Sequence, residues 1–318
     1  MKALEFEHLT GNTWYFSDAT NIGVYVFRDH SCLLIDSGAG EASAKKVLAV
    51  LAERGITVYG IFNTHAHADH CGGNQYLQEK TGCRIYASGM ERVFLENPVL
   101  LPALLYSAAP LRVLKNRFLM PHPSRVSDEV TAGVRTICGE DFEYLPLSGH
   151  TPGHMGLRTP DDVVFVGDCV MTEEMMERLP IFFLTDVSEQ WASLERLGET
   201  PGEIFVPSHG AILEELSSAL ERNSSILQES IENLCNFLQT PRSREEVVAH
   251  TIRRYALPMN SSQYYLLSAT LSAFLAELHN SRRINSKVID GIMKFYQAES
   301  RRSQSDGRRQ IKRYNQVI

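Results

Sequence analysis

The first two hundred residues alternate short apolar or β-branched runs with longer segments whose apolar residues recur at helical spacing. Because a short apolar run bounded by turn residues indicates a strand and a period near 3.6 indicates a helix, this part predicts a mixed α and β structure. The predicted strands are Ile22–Phe27, Cys32–Ile35, Val58–Phe62, Arg84–Ala87, Phe142–Leu147, Val163–Val166 and Glu203–Val206. Helices are predicted over Ala42–Arg54 and Val187–Leu197. Several strands end in Gly, Asp or His, so polar chemistry is expected in strand-end loops.

After about residue 213 the strand pattern fades and amphipathic helices are predicted instead. The run Glu214–Gln239 has the pattern of one long helix, and a further helix is predicted over Ser262–His279. Between them lies Ser243-Arg244-Glu245-Glu246, which has the form of a capping box. A helix is therefore expected to begin there and to continue to about Tyr255.

Composition indicates an ordinary globular protein, with 43% hydrophobic and 22% charged residues in 318. The net charge of −7 argues against a nucleic-acid-binding surface that extends over the whole protein. Six scattered cysteines without a CxxC pair favour reduced thiols, and the charged start of the chain does not resemble a signal peptide. The most apolar stretch, Pro98–Leu114, is interrupted by prolines and an arginine, so no membrane span is expected. These features together predict a cytoplasmic protein.

The segment Asn63–Asn74 places three histidines and an aspartate within six residues, directly after a predicted strand. Imidazole nitrogen and carboxylate oxygen are ligands that zinc and neighbouring divalent ions prefer. On an irregular loop His65 and His67 could bind one ion while Asp69 and His70 bind a second. The alternative is a histidine-rich surface loop without a metal.

Four further segments place His or Asp at the end of an apolar run or in a Gly/Pro turn. They are Leu33–Gly38, Ser148–His154, Phe165–Cys169 and Pro207–Gly210. A buried, unpaired Asp168 would be unfavourable without a cation. Taken singly each segment is a weak signal, because Asp-Ser-Gly is commonly a turn and a strand-end histidine is commonly structural.

In this order and spacing the five segments strongly resemble the metallo-beta-lactamase superfamily, over residues of about 12 to 215. The resemblance implies an α+β fold, an αββα sandwich with a metal site at one edge of its two sheets. It also implies two sites for metal ions joined by one carboxylate. The implied ligands are His65, His67 and His150 for the first ion, Asp69, His70 and His209 for the second, and Asp168 between the two.

The same resemblance implies structural or orienting roles for other residues near these positions. Asp36 is expected to orient a ligand imidazole. His154 is expected to support the site or to be structural, and Cys71 and Cys169 are expected to be bystanders because all seven ligand positions are filled. His67 stands where iron-binding flavoprotein relatives carry Glu, which favours two Zn²⁺ ions, with Mn²⁺ or Fe²⁺ as alternatives.

The implied activity is hydrolysis of an ester or thioester by a hydroxide that bridges the two ions, with Asp168 as the bridging carboxylate and Asp69 moving a proton to the leaving group. The segment Asn63–Asn74 most resembles the glyoxalase-II-like branch. The C-terminal helices lack the basic pattern with which glyoxalase II binds glutathione, so the indicated partner is only a small-molecule substrate.

A second interpretation is a metal-dependent phosphodiesterase or endoribonuclease. The chain is expected to divide into a catalytic domain over 1–215, a small helical domain over 216–298 and a basic tail over 299–318. That helical domain is similar to the winged-helix-like domain of lactamase-like endoribonucleases. Its third helix, over 261–280, contains no Lys or Arg, which counts against nucleic acid. Arg253-Arg254, Arg282-Arg283 and the tail keep this interpretation open. A non-enzymatic binder is disfavoured by the complete ligand set.

The run Met90–Val126 between two predicted strands is long and apolar. It could cover the metal site with an apolar pocket, which would favour a substrate with an apolar acyl group. Core packing and a homodimer contact are equally open. Residues from a second segment could share in the cover: Met171, Met175, Met176, Ile181, Phe182 and Phe183.

Overall fold

Two β-sheets precede a set of C-terminal helices in the computed structural model, which describes residues 4–298. The strands of the first sheet, in spatial order, are β1 (Glu5–Thr10), β2 (Thr13–Ser17), β3 (Ile22–Val26), β4 (Ser31–Ile35), β5 (Thr57–Phe62), β6 (Arg84–Ser88) and β7 (Asp128–Val130). Strands β1 to β4 are antiparallel, and β4 to β7 are parallel. The tail predicted over 299–318 lies outside the described residues.

The second sheet has five strands in the spatial order β12-β11-β10-β9-β8. They are β8 (Gly133–Ile137), β9 (Glu140–Pro146), β10 (Met155–Arg158), β11 (Val163–Gly167) and β12 (Ile204–Pro207). Strands β11 and β12 are parallel, and the other neighbours are antiparallel. A separate antiparallel hairpin follows near the end of the described chain, formed by β13 (Ile284–Ile289) and β14 (Ile292–Gln297).

The described helices flank the sheets or follow them. They are α1 (Glu41–Glu53), α2 (Ala68–Cys71), α3 (Asn74–Thr81), α4 (Gly89–Glu96), α5 (Leu100–Tyr106), α6 (Glu173–Arg178), α7 (Val187–Glu199), α8 (Ser217–Phe237), α9 (Arg244–Arg254) and α10 (Ser261–Asn280), with one 3₁₀ turn over Arg112–Leu114. None of the described helices is both long and apolar enough to cross a membrane.

The two sheets pack face to face through aromatic side chains. The ring of Tyr25 meets that of Phe142 edge-on at 5.0 Å, and Phe62 meets Tyr144 at 5.2 Å. The other face of the first sheet is covered by α1 and α3, and the other face of the second sheet by α7. This is the predicted αββα sandwich of an α+β protein.

Helices α8 to α10 and the hairpin follow the sandwich in an order compatible with a winged-helix-like unit. The predicted capping box of α9 is present, because Ser243 Oγ accepts from the amide of Glu246 and the Glu246 carboxylate accepts from the amide of Ser243. Leu227 of α8 and Leu271 of α10 share one buried core with Leu194 of α7. The division of the chain at residue 215 stays a prediction.

Part of the expected apolar cover over the metal site lies elsewhere. Met171, Met176 and Phe182 are buried in the core that joins the second sheet to the C-terminal helices, and Met175 and Ile181 pack against that core. Burial there removes more apolar surface from water than a place at the rim of an open site would. Phe183 is the member of this segment that reaches the candidate site, described next.

Candidate metal centre

The loop that follows β5 is held in place by a buried network of amide and hydroxyl groups. Asn74 Nδ2 donates to Asn63 Oδ1 over 2.7 Å, and Ser37 Oγ donates to Asn74 Oδ1 over 2.7 Å. Gly73 allows the close approach, because a Cβ there would lie 2.3 Å from the carbonyl oxygen of Ser37. The segment between β5 and α3 is therefore fixed while its histidines point toward one place.

Three imidazole nitrogens meet at the first group of candidate ligands. Nδ1 of His67 lies 2.9 Å from Nε2 of His65 and 2.9 Å from Nε2 of His150. Oδ2 of Asp168 lies 3.3 Å from Nε2 of His150 and 3.9 Å from Nε2 of His65. The ligand atoms of these four residues all lie within 4.8 Å of one another.

A second group lies on the other side of Asp168. Oδ2 of Asp69 lies 3.5 Å from Nε2 of His70 and 3.3 Å from Nε2 of His209. Oδ1 of Asp168 lies 3.4 Å from Nε2 of His70 and 3.6 Å from Nε2 of His209. The two oxygens of Asp168 thus face different groups, and the structure brings together all seven side chains that the sequence singled out as ligands.

The protonation states of the first group suit a cation. Burial lowers the pKa of His65 well below its usual value, that of His67 to about 3, and that of His150 as well. Three neutral imidazoles whose nitrogens are this close direct their lone pairs at a common point. A divalent ion at that point would stabilise the arrangement. A zinc ion therefore fits the donor set of this group.

The second group also has buried atoms that lack a partner. Nε2 of His70 and Oδ1 of Asp168 are buried and make no hydrogen bond. Burial alone would lower the pKa of His70, but the carboxylates of Asp168, Asp69 and Asp36 raise it well above its usual value. Although burial opposes ionisation, His70 and His150 hold the pKa of Asp168 well below its usual range. Ionised carboxylates beside unpartnered nitrogen and oxygen atoms form a set that a second cation would satisfy.

Three of the candidate imidazole ligands are oriented by a hydrogen bond from the other ring nitrogen, whereas Nε2 of His67 is buried without such a partner. Asp36 Oδ2 accepts from His70 Nδ1 over 2.8 Å. His150 Nδ1 donates to the carbonyl oxygen of Phe183 over 2.8 Å, and His209 Nδ1 donates to that of Ala19 over 2.8 Å. Such contacts fix the tautomer and the ring direction of a metal ligand.

His154 and the two cysteines lie close to the groups without joining them. His154 Nε2 accepts from the backbone amide of Asp168 over 3.0 Å, so it supports the segment that carries this carboxylate. Burial raises the pKa of the Cys71 thiol well above its usual value and that of Cys169 to about 12. Among the described residues neither thiol belongs to a candidate metal group.

Glu91 of α4 joins two loops of the candidate site, a structural role that the sequence did not indicate. Its Oε2 accepts from the amide of Ala66 over 2.8 Å, and its Oε1 accepts from Thr151 Oγ1 over 2.6 Å and from the amide of Gly153 over 3.0 Å. The side chain is buried, and it joins the loop of His65 and His67 to the turn of His150. In the sequence this acid stands directly before Arg92 and five residues before Glu96, so nothing set it apart from an ordinary helix-surface charge.

Comparison with known proteins agrees with this fold. The sequence model of the metallo-beta-lactamase superfamily matches residues 17–209, which is more than half of the chain. A hydroxyacylglutathione hydrolase of Erythrobacter litoralis is 29% identical over 190 residues, which cover 56% of this chain and 61% of that enzyme. A probable metallo-hydrolase of Bacillus subtilis is 26% identical over 204 residues, covering 57% of this chain and 76% of that protein.

Solved structures support the fold along almost the whole chain. A beta-lactamase domain protein from Burkholderia ambifaria superposes with a TM-score of 0.76 at 18% identity, covering 93% of this chain and 95% of that one. A metallo-beta-lactamase family protein from Thermus thermophilus superposes with a TM-score of 0.69 at 18% identity, covering 93% and 98%. The helices and the hairpin after the sandwich are therefore part of an architecture found in other proteins.

Proposed function

The chain belongs to the metallo-beta-lactamase superfamily, and we propose that it is a hydrolase that uses two divalent metal ions, zinc in the first place, to hydrolyse an ester or thioester. The observation that carries this proposal is the division of the Asp168 carboxylate between the two groups of candidate ligands. A single ion would leave one of its buried oxygens without a partner.

The proposal assigns a part to each group of side chains. His65, His67 and His150 would hold the first ion; Asp69, His70 and His209 would hold the second; Asp168 would hold both. When bound, the two ions would lower the pKa of a water molecule and polarise the carbonyl oxygen of the substrate. The buried contacts of Asp36 and Glu91 would keep the ligands in place before the substrate arrives.

Asp69 is the proposed proton carrier. Its side chain is 44% exposed, whereas that of Asp168 is 11% exposed, so Asp69 can reach both substrate and water. Burial raises its pKa, but the nearby His70 and His209 bring it below its ordinary value, so the group begins as a carboxylate that can accept a proton. It would take a proton from the attacking water and pass it to the sulfur or oxygen atom that leaves.

The substrate class follows from the relatives and from the residues beside the centre. The matched relatives are named hydroxyacylglutathione hydrolases, but the first of them is covered over only 61% of its length. We therefore propose a small-molecule ester or thioester with an apolar acyl part, and not a glutathione thioester in particular. A cytoplasmic location and a homodimer belong to the same proposal, whose chemistry does not depend on them.

A substrate panel tests this proposal directly. Zinc-loaded protein is assayed with thioesters, lactones, β-lactams, bis-p-nitrophenyl phosphate and RNA, each with and without a chelator. We expect thioester or ester hydrolysis that the chelator abolishes and that returns when zinc is restored. Chelator-sensitive cleavage of RNA or the phosphodiester, with no ester hydrolysis, would replace this proposal by the nuclease interpretation. Hydrolysis that survives complete metal removal would contradict both.

A further inference from the structure

An apolar cavity lies directly beside the first group of candidate ligands. The space between its walls, including the part that is open to solvent, is about 330 Å³. Helices α4 and α5 form one side of it, and the turn after His150 and the segment before α7 form the other. Its main lining side chains are His67, Phe94, Leu101, Leu104, Pro152 and Phe183.

The cavity offers no free charge to a ligand. Among residues 4–298, Glu91 is the only acid that lines it, and both of its oxygens are already engaged by Ala66, Thr151 and Gly153. No Lys or Arg in the described part of the chain lines it. A carboxylate or phosphate placed there would lose its hydration without gaining a partner, whereas a hydrocarbon chain would gain by leaving water.

The mouth of the cavity adjoins the candidate centre. The ring of Phe183 lies edge-on to that of His67 at 5.3 Å and to that of His150 at 5.6 Å. His67 itself lines the cavity while its Nδ1 faces the other ligands. A substrate whose carbonyl group is at the centre can therefore extend one substituent past His67 and into the cavity.

The wall of the cavity is attached to the C-terminal helices. Tyr106 at the end of α5 meets Tyr265 of α10 edge-on at 5.6 Å, and Asn116 Nδ2 donates to Ser262 Oγ over 2.9 Å. These contacts hold the segment between β6 and β7 against α10. The wall that carries Leu101 and Leu104 is thus supported from a second side and is not a free surface loop.

We propose that this cavity is an acyl pocket, which selects substrates with an uncharged apolar acyl chain of several carbons. This inference rests on the proposed hydrolase function and adds the place where the acyl chain binds and the exclusion of charged acyl groups. Among acyl groups of equal length it excludes those with a terminal charge, because nothing in the pocket would pair with it.

The test is a series of N-acetylcysteamine thioesters with acetyl, butanoyl, hexanoyl and octanoyl groups, together with the succinyl thioester as the charged match for butanoyl. We expect kcat/KM of the zinc-loaded enzyme to rise about fourfold per methylene until the pocket is full, since each buried methylene contributes about 0.8 kcal/mol. The succinyl compound should be a much poorer substrate than the butanoyl one. A flat series, or equal rates for succinyl and butanoyl, would overturn the acyl pocket.

Two variants on the same helix test whether the dependence of kcat/KM on acyl length arises in this cavity. Leu101→Trp fills the pocket, and we expect the hexanoyl to acetyl ratio of kcat/KM to fall about tenfold or more, the loss expected when about two buried methylenes are displaced. Leu100→Trp adds the same ring to the neighbouring residue, which does not line the cavity, and should leave the ratio unchanged. Equal ratios in the two variants would overturn the assignment.

A binding measurement separates this inference from the proposed function. Calorimetry with amide analogues, in which NH replaces the thioester sulfur, reports on the pocket without any hydrolysis. If no thioester is hydrolysed but the hexanoyl amide binds more tightly than the acetyl amide, and Leu101→Trp removes the difference, the pocket stands and the esterase proposal fails. If amide affinity is independent of chain length, the pocket fails whatever the activity.

Discussion

Asp36 accepts a hydrogen bond from Nδ1 of His70 over 2.8 Å, and the same carboxylate accepts from the amide and the hydroxyl of Thr64 over 2.8 Å each. The backbone of Asp36 is in the left-handed region, with φ of 64°, directly after β4. With its Nδ1 proton held in this way, His70 directs Nε2 toward Asp69 and Asp168. One buried carboxylate therefore orients a ligand of the second group and anchors the loop of the first.

The variant Asp36→Asn tests whether this carboxylate both orients His70 and anchors the loop through Thr64. The amide offers an NH₂ group where His70 Nδ1 or Thr64 now donates, so one contact is lost and the ring can turn. We expect the affinity for the second metal ion to fall about tenfold to hundredfold, measured by chelator competition. Asp161→Asn is the matched control, because Asp161 also accepts from a backbone amide and a threonine hydroxyl, those of Asn12 and Thr13. Equal metal affinity in both variants would contradict the assigned part of Asp36.

Replacing Glu91 should separate the two loops that carry the first group. In Glu91→Gln the amide NH₂ would face at least one of the three donors, leaving a buried donor unpaired, which typically costs about 1–3 kcal/mol. We expect a matching fall in the free energy of unfolding, measured with denaturant, and weaker zinc binding. Glu53→Gln, at the exposed end of α1, is the control. A Glu91→Gln protein as stable as the control, with unchanged zinc affinity, would show that this contact does not hold the loops.

At position 167 a side chain is excluded both by the backbone conformation and by the closeness of His154. Its φ is +59°, and a Cβ would lie 2.3 Å from Nε2 of His154, the atom that accepts from the Asp168 amide. Gly82 has a φ of +70° with open space around it, so Gly82→Ala measures the conformational strain alone, about 1–2 kcal/mol. Gly167→Ala should destabilise the protein by more than this and weaken metal binding, as thermal unfolding and zinc titration would reveal. Equal losses for the two variants would refute the steric argument.

The sequence could indicate which side chains meet at the candidate centre, because several of them directly follow a strand and the ends of neighbouring strands meet at one edge of a sheet. His65, His150 and His209 each follow a run that forms a strand. Glu91 was not predictable, because an acid in the first turn of a helix is common without any tertiary contact. Strand β13 was missed because its side chains are mostly exposed and show no alternation. Metal binding stays a proposal, and it rests on the short distances between the candidate ligand side chains.

Glu246 gives the C-terminal helices a predicted pH dependence. The Lys294 ammonium and the amide of Ser243 lower its pKa from 4.5 to about 2. Because the folded-state value is the lower one, its stabilising contribution is present above pH 4.5 and is lost as the pH falls toward about 2. We expect Glu246→Gln to lower Tm relative to the native protein at pH 6, with the difference shrinking as acid is added.

The control for this pH profile is Glu245→Gln, which removes a neighbouring charge that makes neither the capping bond nor the contact with Lys294. At pH 6 it should lower Tm by less than Glu246→Gln does, because it leaves the capping bond and the Lys294 contact in place. A Glu246→Gln difference that stays constant from pH 6 to pH 2 would show that ionisation of Glu246 does not couple to folding.

The most direct test of a two-metal centre divided by Asp168 is anomalous diffraction at the zinc edge from crystals of the zinc-loaded protein. We predict two peaks in each chain, one among His65, His67 and His150 and one among Asp69, His70 and His209, with a different oxygen of Asp168 directed at each. A single peak, or peaks away from these seven side chains in fully loaded protein, would contradict the account.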